Sequence, residues 1–149
     1  MPSAFPPLAE LLPHRPPMLL LDELVAAGDS SVTCRVTLRD DSPFVRDGKA
    51  PALVALEYFA QAVAALFAFK SFGTDAPPFR GVLLGARELE LSAANLSVGD
   101  TFEVLCREHW SSGPVAHYQC ALSRAHERLA AGAITVLRGD GALDPSEAP

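Results

Sequence analysis

One carboxyl group stands out in the most apolar stretch of the sequence. Residues 51–72 read PALVALEYFAQAVAALFAFKSF, and before Lys70 the only charged residue is Glu57. Gln61 follows four residues later, and on an α-helix that spacing places both side chains on one face. An ionised carboxylate in apolar surroundings is costly unless it is protonated, paired or facing a pocket. Glu57 is therefore either a paired group at a subunit seam or a general acid that takes part in chemistry.

A second candidate lies in the bend LLPHRPPMLLLDEL, residues 11–24, where His14 and Arg15 are flanked by prolines. Proline restricts its own backbone and that of the preceding residue, so the bend is stiff and could aim an imidazole. A histidine in a loop is either a structural, solvated residue or a proton carrier near neutral pH. The other histidines fall on or beside later segments and are interpreted as surface or core residues: His109, His117 and His126.

The segments around these candidates predict the elements that position them. Strands are predicted where apolar and polar residues alternate, at residues 18–27, 30–39, 80–92, 100–110, 114–124 and 127–138, and residues 8–12 allow one or two helical turns. Pro51 suits the first position of a long helix, whose nearly continuous apolar surface must be covered. This order predicts an α+β hotdog fold, a six-stranded antiparallel sheet wrapped around one central helix.

The chain of 149 residues is predicted to be a single domain, 1–149, with an ordered core at about 8–138 and a flexible tail at 139–149. Its net charge of −6 disfavours a nucleic-acid partner. A charged Glu57 within the apolar helix argues against a membrane span. Cys34, Cys106 and Cys120 fall in apolar-alternating segments, as expected for reduced thiols of a cytoplasmic protein. An uncovered sheet edge predicts a two-fold dimer.

Two motifs in this order resemble a known enzyme family. The bend at residues 11–24 is similar to the opening of FabZ/FabA-like 3-hydroxyacyl-[acyl carrier protein] dehydratases, and PALVALEYFAQA, residues 51–62, is similar to their helix motif. The resemblance is closer to the ApeP-like, aryl polyene branch of that family and runs from about Leu8 to Arg138. It implies a hotdog dehydratase that needs no cofactor of its own, because the phosphopantetheine arrives with the substrate.

The resemblance also implies roles for individual residues. Glu57 corresponds to the helix carboxylate that assists departure of the 3-hydroxyl, and Gln61 to the glutamine one turn later. Ala52 corresponds to a glycine whose backbone N–H binds the thioester oxygen. FabZ and FabA enzymes carry a catalytic histidine in the loop before this helix, whereas residues 40–50 contain none. The resemblance therefore assigns the base to His14, with Arg15 beside it.

These expectations combine into one hypothesis and two alternatives. The hypothesis is dehydration of a 3-hydroxyacyl thioester on acyl carrier protein, by His14 and Glu57 as the catalytic residues and Ala52, Gln61 and Arg15 as the substrate-binding residues. In this hypothesis Gln61 orients either Glu57 or the thioester. The alternatives are a hotdog thioesterase and a non-catalytic partner or acyl-binding subunit. The expected partners are acyl carrier protein and a second hotdog subunit, identical or paralogous. The expected depth of the acyl pocket depends on how Phe59, Phe67 and Phe69 pack.

Overall fold

Six antiparallel strands form the main sheet of the protein. The computed structural model describes the backbone of residues 4–75 and 80–139. The strands of this sheet are β1 (Glu23–Ala27), β2 (Ser31–Thr37), β4 (Arg80–Leu91), β6 (Thr101–Ser112), β7 (Val115–Arg124) and β8 (Glu127–Gly139). Their order across the sheet is β1-β2-β6-β7-β8-β4, so β1 and β4 are the two edges.

The helix that the sequence singled out lies against one face of this sheet. It begins with a 3-10 turn, Ala52–Val54, and continues as α2, Ala55–Ser71. By length and composition Ala52–Ser71 could cross a membrane, but 61% of its apolar window is buried inside the fold. The inward residues of the strands alternate with exposed ones, as Phe102, Val104 and Cys106 do on β6, and together they bury the helix. The hotdog prediction is confirmed.

One predicted strand is shorter than expected, and two short strands, β3 and β5, were not predicted. The first predicted strand, residues 18–27, is shortened to β1, because the Leu20 backbone N–H binds the side chain of Gln61 instead of a neighbouring strand. The predicted loop at residues 40–50 ends in a short strand β3 (Lys49–Pro51), which pairs with β5 (Asn95–Ser97) in a two-stranded sheet. Three-residue strands are too short to show a period-2 pattern, so neither could be predicted.

A short helix precedes the proline-rich bend near the start of the chain. The helical turn predicted at residues 8–12 is present as α1, Leu8–Leu11. Leu8 and Leu12 are buried in the main core, so α1 fixes the start of the bend that follows it. The prediction of a flexible tail falls, beyond Gly139, outside the described residues.

Candidate active site

Gln61 ties the proline-rich bend to the central helix. Its side chain is fully buried, with 1% of its surface exposed. Its Oε1 accepts the Leu20 N–H at 3.0 Å, and its Nε2 donates to the Met18 carbonyl at 2.9 Å. The same Nε2 donates to Glu57 Oε1 at 3.1 Å. These bonds define which end of the amide is oxygen and connect residues 18–20 to the carboxyl group.

The bend itself is held by the neighbouring arginine. The Arg15 Nη1 donates to the Leu12 carbonyl at 2.9 Å and to the His14 carbonyl at 2.7 Å. Because Leu12 is buried and Met18 is bonded to Gln61, the segment between them is anchored at both ends. His14 is the residue that this anchored segment presents to α2.

The imidazole of His14 and the carboxyl group of Glu57 meet within one chain. His14 Nε2 lies 3.9 Å from Glu57 Oε1, and the side chains are 30% and 34% exposed, respectively. The sequence had left open which subunit would supply each group. His14 Nδ1 is buried and has no hydrogen-bond partner in the described part of the chain. Nε2 is therefore the ring nitrogen available for proton transfer beside Glu57.

Two hollows flank this pair along the helix. One, of about 120 Å³, lies between α2 and β4 and is lined mostly by apolar side chains, with His14 and Gln61 at one end and Phe67 and Val136 among the others. We call it the acyl pocket. The second, of about 270 Å³, lies at the helix N-terminus beside Glu57, against Phe44 and Leu53. The two candidate proton carriers therefore stand between an apolar pocket and a more open hollow.

The structure corrects the predicted role of Ala52 and bears on those of Gln61 and Arg15. The Ala52 backbone N–H donates to the Ala94 carbonyl at 2.9 Å, so this amide is not free to bind a thioester oxygen. Both amide hydrogens of Gln61 are used within the chain, and the bond to Glu57 agrees with the predicted role of orienting that carboxyl group. The Arg15 guanidinium bonds the carbonyls of its own bend. Whether Arg15 also contacts a substrate stays a prediction.

The other three histidines do not line either hollow beside His14 and Glu57. His117 Nδ1 pairs with the Thr135 hydroxyl at 2.9 Å, and its ring stacks on Trp110 with centroids 3.9 Å apart. His109 is exposed on β6, and His126 lies in the turn before β8 with a positive φ of 69°. The exposed positions of His109 and His126 agree with their interpretation as surface residues.

One wall of the acyl pocket was missed by the sequence analysis. It is formed by Gly81, Val82 and Leu83 of the edge strand β4. The sequence contains a signal for this wall, because Val82, Leu83 and Leu84 are consecutive apolar residues that interrupt the alternation of apolar and polar residues in the strand. Their exposed fractions are 47%, 40% and 53%. This run leaves an apolar patch exposed on the edge strand of the single chain.

Comparison with known proteins agrees with this architecture and places the chain in a family. The family model for ApeP-like proteins, described as ApeP dehydratase, matches residues 6–147. The chain belongs to the ApeP-like dehydratase family. No curated protein sequence matches it. The matched range includes the proline-rich bend, the central helix and all six strands of the main sheet.

Solved structures share the fold of this chain. The dehydratase heterocomplex ApeI:P from Xenorhabdus doucetiae is 25% identical, with a TM-score of 0.82, and the match covers 91% of this chain and 92% of that one. A hypothetical thioesterase with coenzyme A from Streptococcus pneumoniae TIGR4 is 11% identical, with a TM-score of 0.61 over 78% of this chain and 84% of that one. A mutant thioesterase from Pseudomonas aeruginosa is 14% identical, with a TM-score of 0.56 over 78% and 79%. The thioesterase likenesses show the fold alone.

Proposed function

We propose that this ApeP-like protein dehydrates a 3-hydroxyacyl thioester carried by acyl carrier protein, giving the trans-2-enoyl thioester. The observation that carries the proposal is the approach of His14 Nε2 to Glu57 Oε1, 3.9 Å, beside an apolar pocket. A dehydration needs a base for the proton next to the thioester and an acid for the departing hydroxyl. The two side chains supply one group of each kind, and both are partly exposed to the hollows in which a substrate would lie.

The reaction balances without any further reagent. Neutral His14 accepts the proton from the carbon next to the thioester through Nε2, and that C–H electron pair becomes the second bond of the C=C. The C3–O bond breaks as protonated Glu57 gives its proton to the leaving hydroxyl, and water departs. A proton then passes from the imidazolium to the carboxylate, restoring both groups. Because Oε1 accepts the Gln61 N–H, Oε2 is the oxygen that carries the acid proton.

The thioester oxygen gains negative charge as the proton leaves, and the helix N-terminus is the feature that favours such charge. Ala52 is engaged with Ala94, so the adjacent amides of Leu53 and Val54 take this role in our proposal. Amides of the first helical turn have no partner within the helix. Leu53 and Val54 also line the hollow that contains Glu57. In this arrangement the thioester lies at that hollow and the acyl chain extends into the acyl pocket.

The test is a dehydration assay on 3-hydroxyacyl thioesters, in which the enoyl product is followed by its absorbance. We expect His14→Ala and Glu57→Gln each to lower kcat by roughly 10²- to 10⁴-fold, the typical contribution of a positioned acid or base. Matched controls are His109→Ala and Glu103→Gln, which change exposed residues of β6 and should leave the rate unchanged. Near-wild-type rates for both site variants would refute the mechanism. Release of free thiol without enoyl product would instead identify a thioesterase.

We further propose that the exposed edge of β4 is covered by a second hotdog subunit, either another copy of this chain or a paralogue. Support comes from the apolar run Val82–Leu84 on an edge strand to which no described residue pairs on its outer side. The similarity to a chain of the ApeI:P heterocomplex favours the paralogue. A covered β4 would also close the acyl pocket, since Val82 and Leu83 line it.

Size-exclusion chromatography with light scattering distinguishes these partners. Two preparations are compared: the chain alone, and the chain coexpressed with a hotdog protein encoded in the same organism. We expect a dimer in at least one of them. Leu84→Lys should convert that dimer to monomer, because it places a charge on the covered edge. Leu91→Lys is the matched control, because Leu91 is also exposed on β4 but lies outside the apolar run. A wild-type monomer under both conditions would contradict the proposal.

A further inference from the structure

The hollow at the helix N-terminus is lined almost entirely by apolar side chains. Apart from Glu57 itself, the described residues that line it are Phe44, Pro51, Leu53, Val54 and Leu56. The acyl pocket on the other side of the catalytic pair differs, because His14 and Gln61 stand at one end of it. In the proposed arrangement the thioester lies in the apolar hollow, and the hydroxyl leaves beside His14 and Glu57. Among these lining residues, polar side chains are therefore grouped where water departs, and Glu57 alone faces the thioester.

Leu53 is the member of this lining whose side chain is not packed into the described part of the single chain. The other apolar residues are in the core, pack against it or pair in β3, and they are Val54, Phe44, Leu56 and Pro51. Leu53 is instead 54% exposed. It precedes Glu57 by four residues, one helical turn, just as Gln61 follows Glu57 by four. Glu57 thus has an amide on one side along the helix and an exposed leucine on the other.

Hydrolysis of a thioester needs a water molecule that is held over the carbonyl carbon. A protein fixes a water molecule by giving it roughly two to four polar partners. In this hollow such a water molecule would meet Glu57 as the only polar side chain among the lining residues. The backbone amides of Leu53 and Val54 are directed at the thioester oxygen in our proposal, so they do not hold the water. The leucine side chain one turn from Glu57 supplies no second partner.

We propose that Leu53 decides which reaction the bound thioester undergoes, because it leaves a water molecule at the thioester carbon without a second polar partner. The inference rests on the proposed function and identifies a residue that separates dehydration from hydrolysis. In the suppressed step the oxygen of water bonds the thioester carbon as the Glu57 carboxylate takes a proton from it. The C–S bond then breaks, and the sulfur leaves with that proton as a free thiol. Glu57 is a carboxylate in every cycle, once the hydroxyl has departed, so the leucine is what prevents this step.

The substitution Leu53→Gln supplies the missing partner. It places an amide one turn before Glu57, on the side of the helix that faces the hollow. A water molecule between the two side chains would accept a hydrogen bond from the amide and donate one to the carboxylate. A positioned general base contributes roughly 10²- to 10⁴-fold, and we expect a gain in hydrolysis of about ten-fold or more because the new amide is not fixed by other contacts. Since Leu53 is more than half exposed, the substitution should leave the fold intact.

Two thioesters of the same length, a 3-hydroxyacyl-pantetheine and a saturated acyl-pantetheine, test the proposal on the purified full chain in its native assembly. The enoyl product is followed by its absorbance and the free thiol by a thiol-reactive dye, to which the three buried cysteines of the protein do not contribute. Leu53→Gln should release thiol from both thioesters about ten-fold faster than the wild type, or more. Phe72→Gln is the matched control, because Phe72 is an exposed apolar residue at the other end of the helix, and it should release thiol at the wild-type rate.

Thiol release by Leu53→Gln that is no faster than that by Phe72→Gln would overturn the proposal. So would a gain that persists when Glu57→Gln is added, because the carboxylate is the base of the suppressed step. Size-exclusion chromatography supplies an independent readout, since loss of the wild-type assembly in Leu53→Gln would identify Leu53 as a subunit contact and would also overturn the proposal. Dehydration by the wild type without a gain in Leu53→Gln would refute the role of Leu53 alone. A gain on the saturated thioester in a protein that forms no enoyl product would refute the proposed function alone.

Discussion

Replacing Gln61 by alanine should destabilise the protein and disrupt the approach of His14 to Glu57. The substitution removes three hydrogen bonds and leaves the buried Leu20 N–H without its acceptor. A buried unpaired donor costs about 1–3 kcal/mol, and losing the bond to the Met18 carbonyl adds about 0.5–1.5 kcal/mol. We therefore expect the free energy of unfolding to fall by roughly 1.5–4.5 kcal/mol, with the bond to the partly exposed carboxyl group of Glu57 contributing little.

Urea unfolding measures this loss, and Gln119→Ala is its control. Gln119 is exposed on β7, so the same substitution there should change stability by less than about 0.5 kcal/mol. In the dehydration assay, Gln61→Ala should also lower kcat under conditions in which the variant is still folded, because residues 18–20 and the bend are no longer fixed to the helix. If Gln61→Ala were as stable and as active as Gln119→Ala, the account of how the bend is positioned would be wrong.

Three further predictions concern buried side chains and one closely packed glycine. Burial raises the pKa of the Cys34 thiol from 9.0 to about 12, and burial with the nearby Asp22 charge raises that of Tyr58 from 10.0 to about 12. The unfolded chain ionises these groups at lower pH than the folded one, so urea titrations should show stability unaffected below pH 9 and falling as pH rises toward 12. Since all three cysteines are buried thiols, a thiol reagent at neutral pH should react with them only after unfolding. Gly132→Ala should lower stability by about 1–3 kcal/mol, because its Cβ would lie 3.2 Å from the Leu89 Cα, whereas Gly85→Ala meets nothing within 4 Å and should be tolerated.

The sequence predicted best those elements whose apolar residues recur at the spacing of a helix or a strand and are buried in the fold. Alternating apolar residues on the later strands predict the six-stranded sheet, and the apolar helix predicts that this sheet wraps around it. The structure contains both elements. The pairing of Glu57 with Gln61 follows from helical spacing alone. The proline-rich bend identified His14, although spacing could not show that the bend reaches the helix of the same chain.

What the sequence could not show depends on contacts between residues far apart in the chain. Whether the Ala52 amide is free is decided by the Ala94 carbonyl, 42 residues later, which only the fold brings to it. The anchoring of the bend by Gln61 likewise joins residues 41 and 43 positions apart. The sequence could not predict that the Tyr118 hydroxyl lacks a hydrogen-bond partner among the described residues, because the pattern of a strand shows only that the side chain points inward.

The most direct test of the central claim, that His14 and Glu57 of one chain act together, is complementation between two inactive variants. His14→Ala and Glu57→Gln chains are coexpressed with different tags, and mixed assemblies are purified and assayed for dehydration. If both groups come from one chain, every site in a mixed assembly lacks one of them and the mixture stays inactive. Recovery of about half of the wild-type rate in purified mixed dimers, which is what sites shared across a two-fold interface would give, would contradict the account.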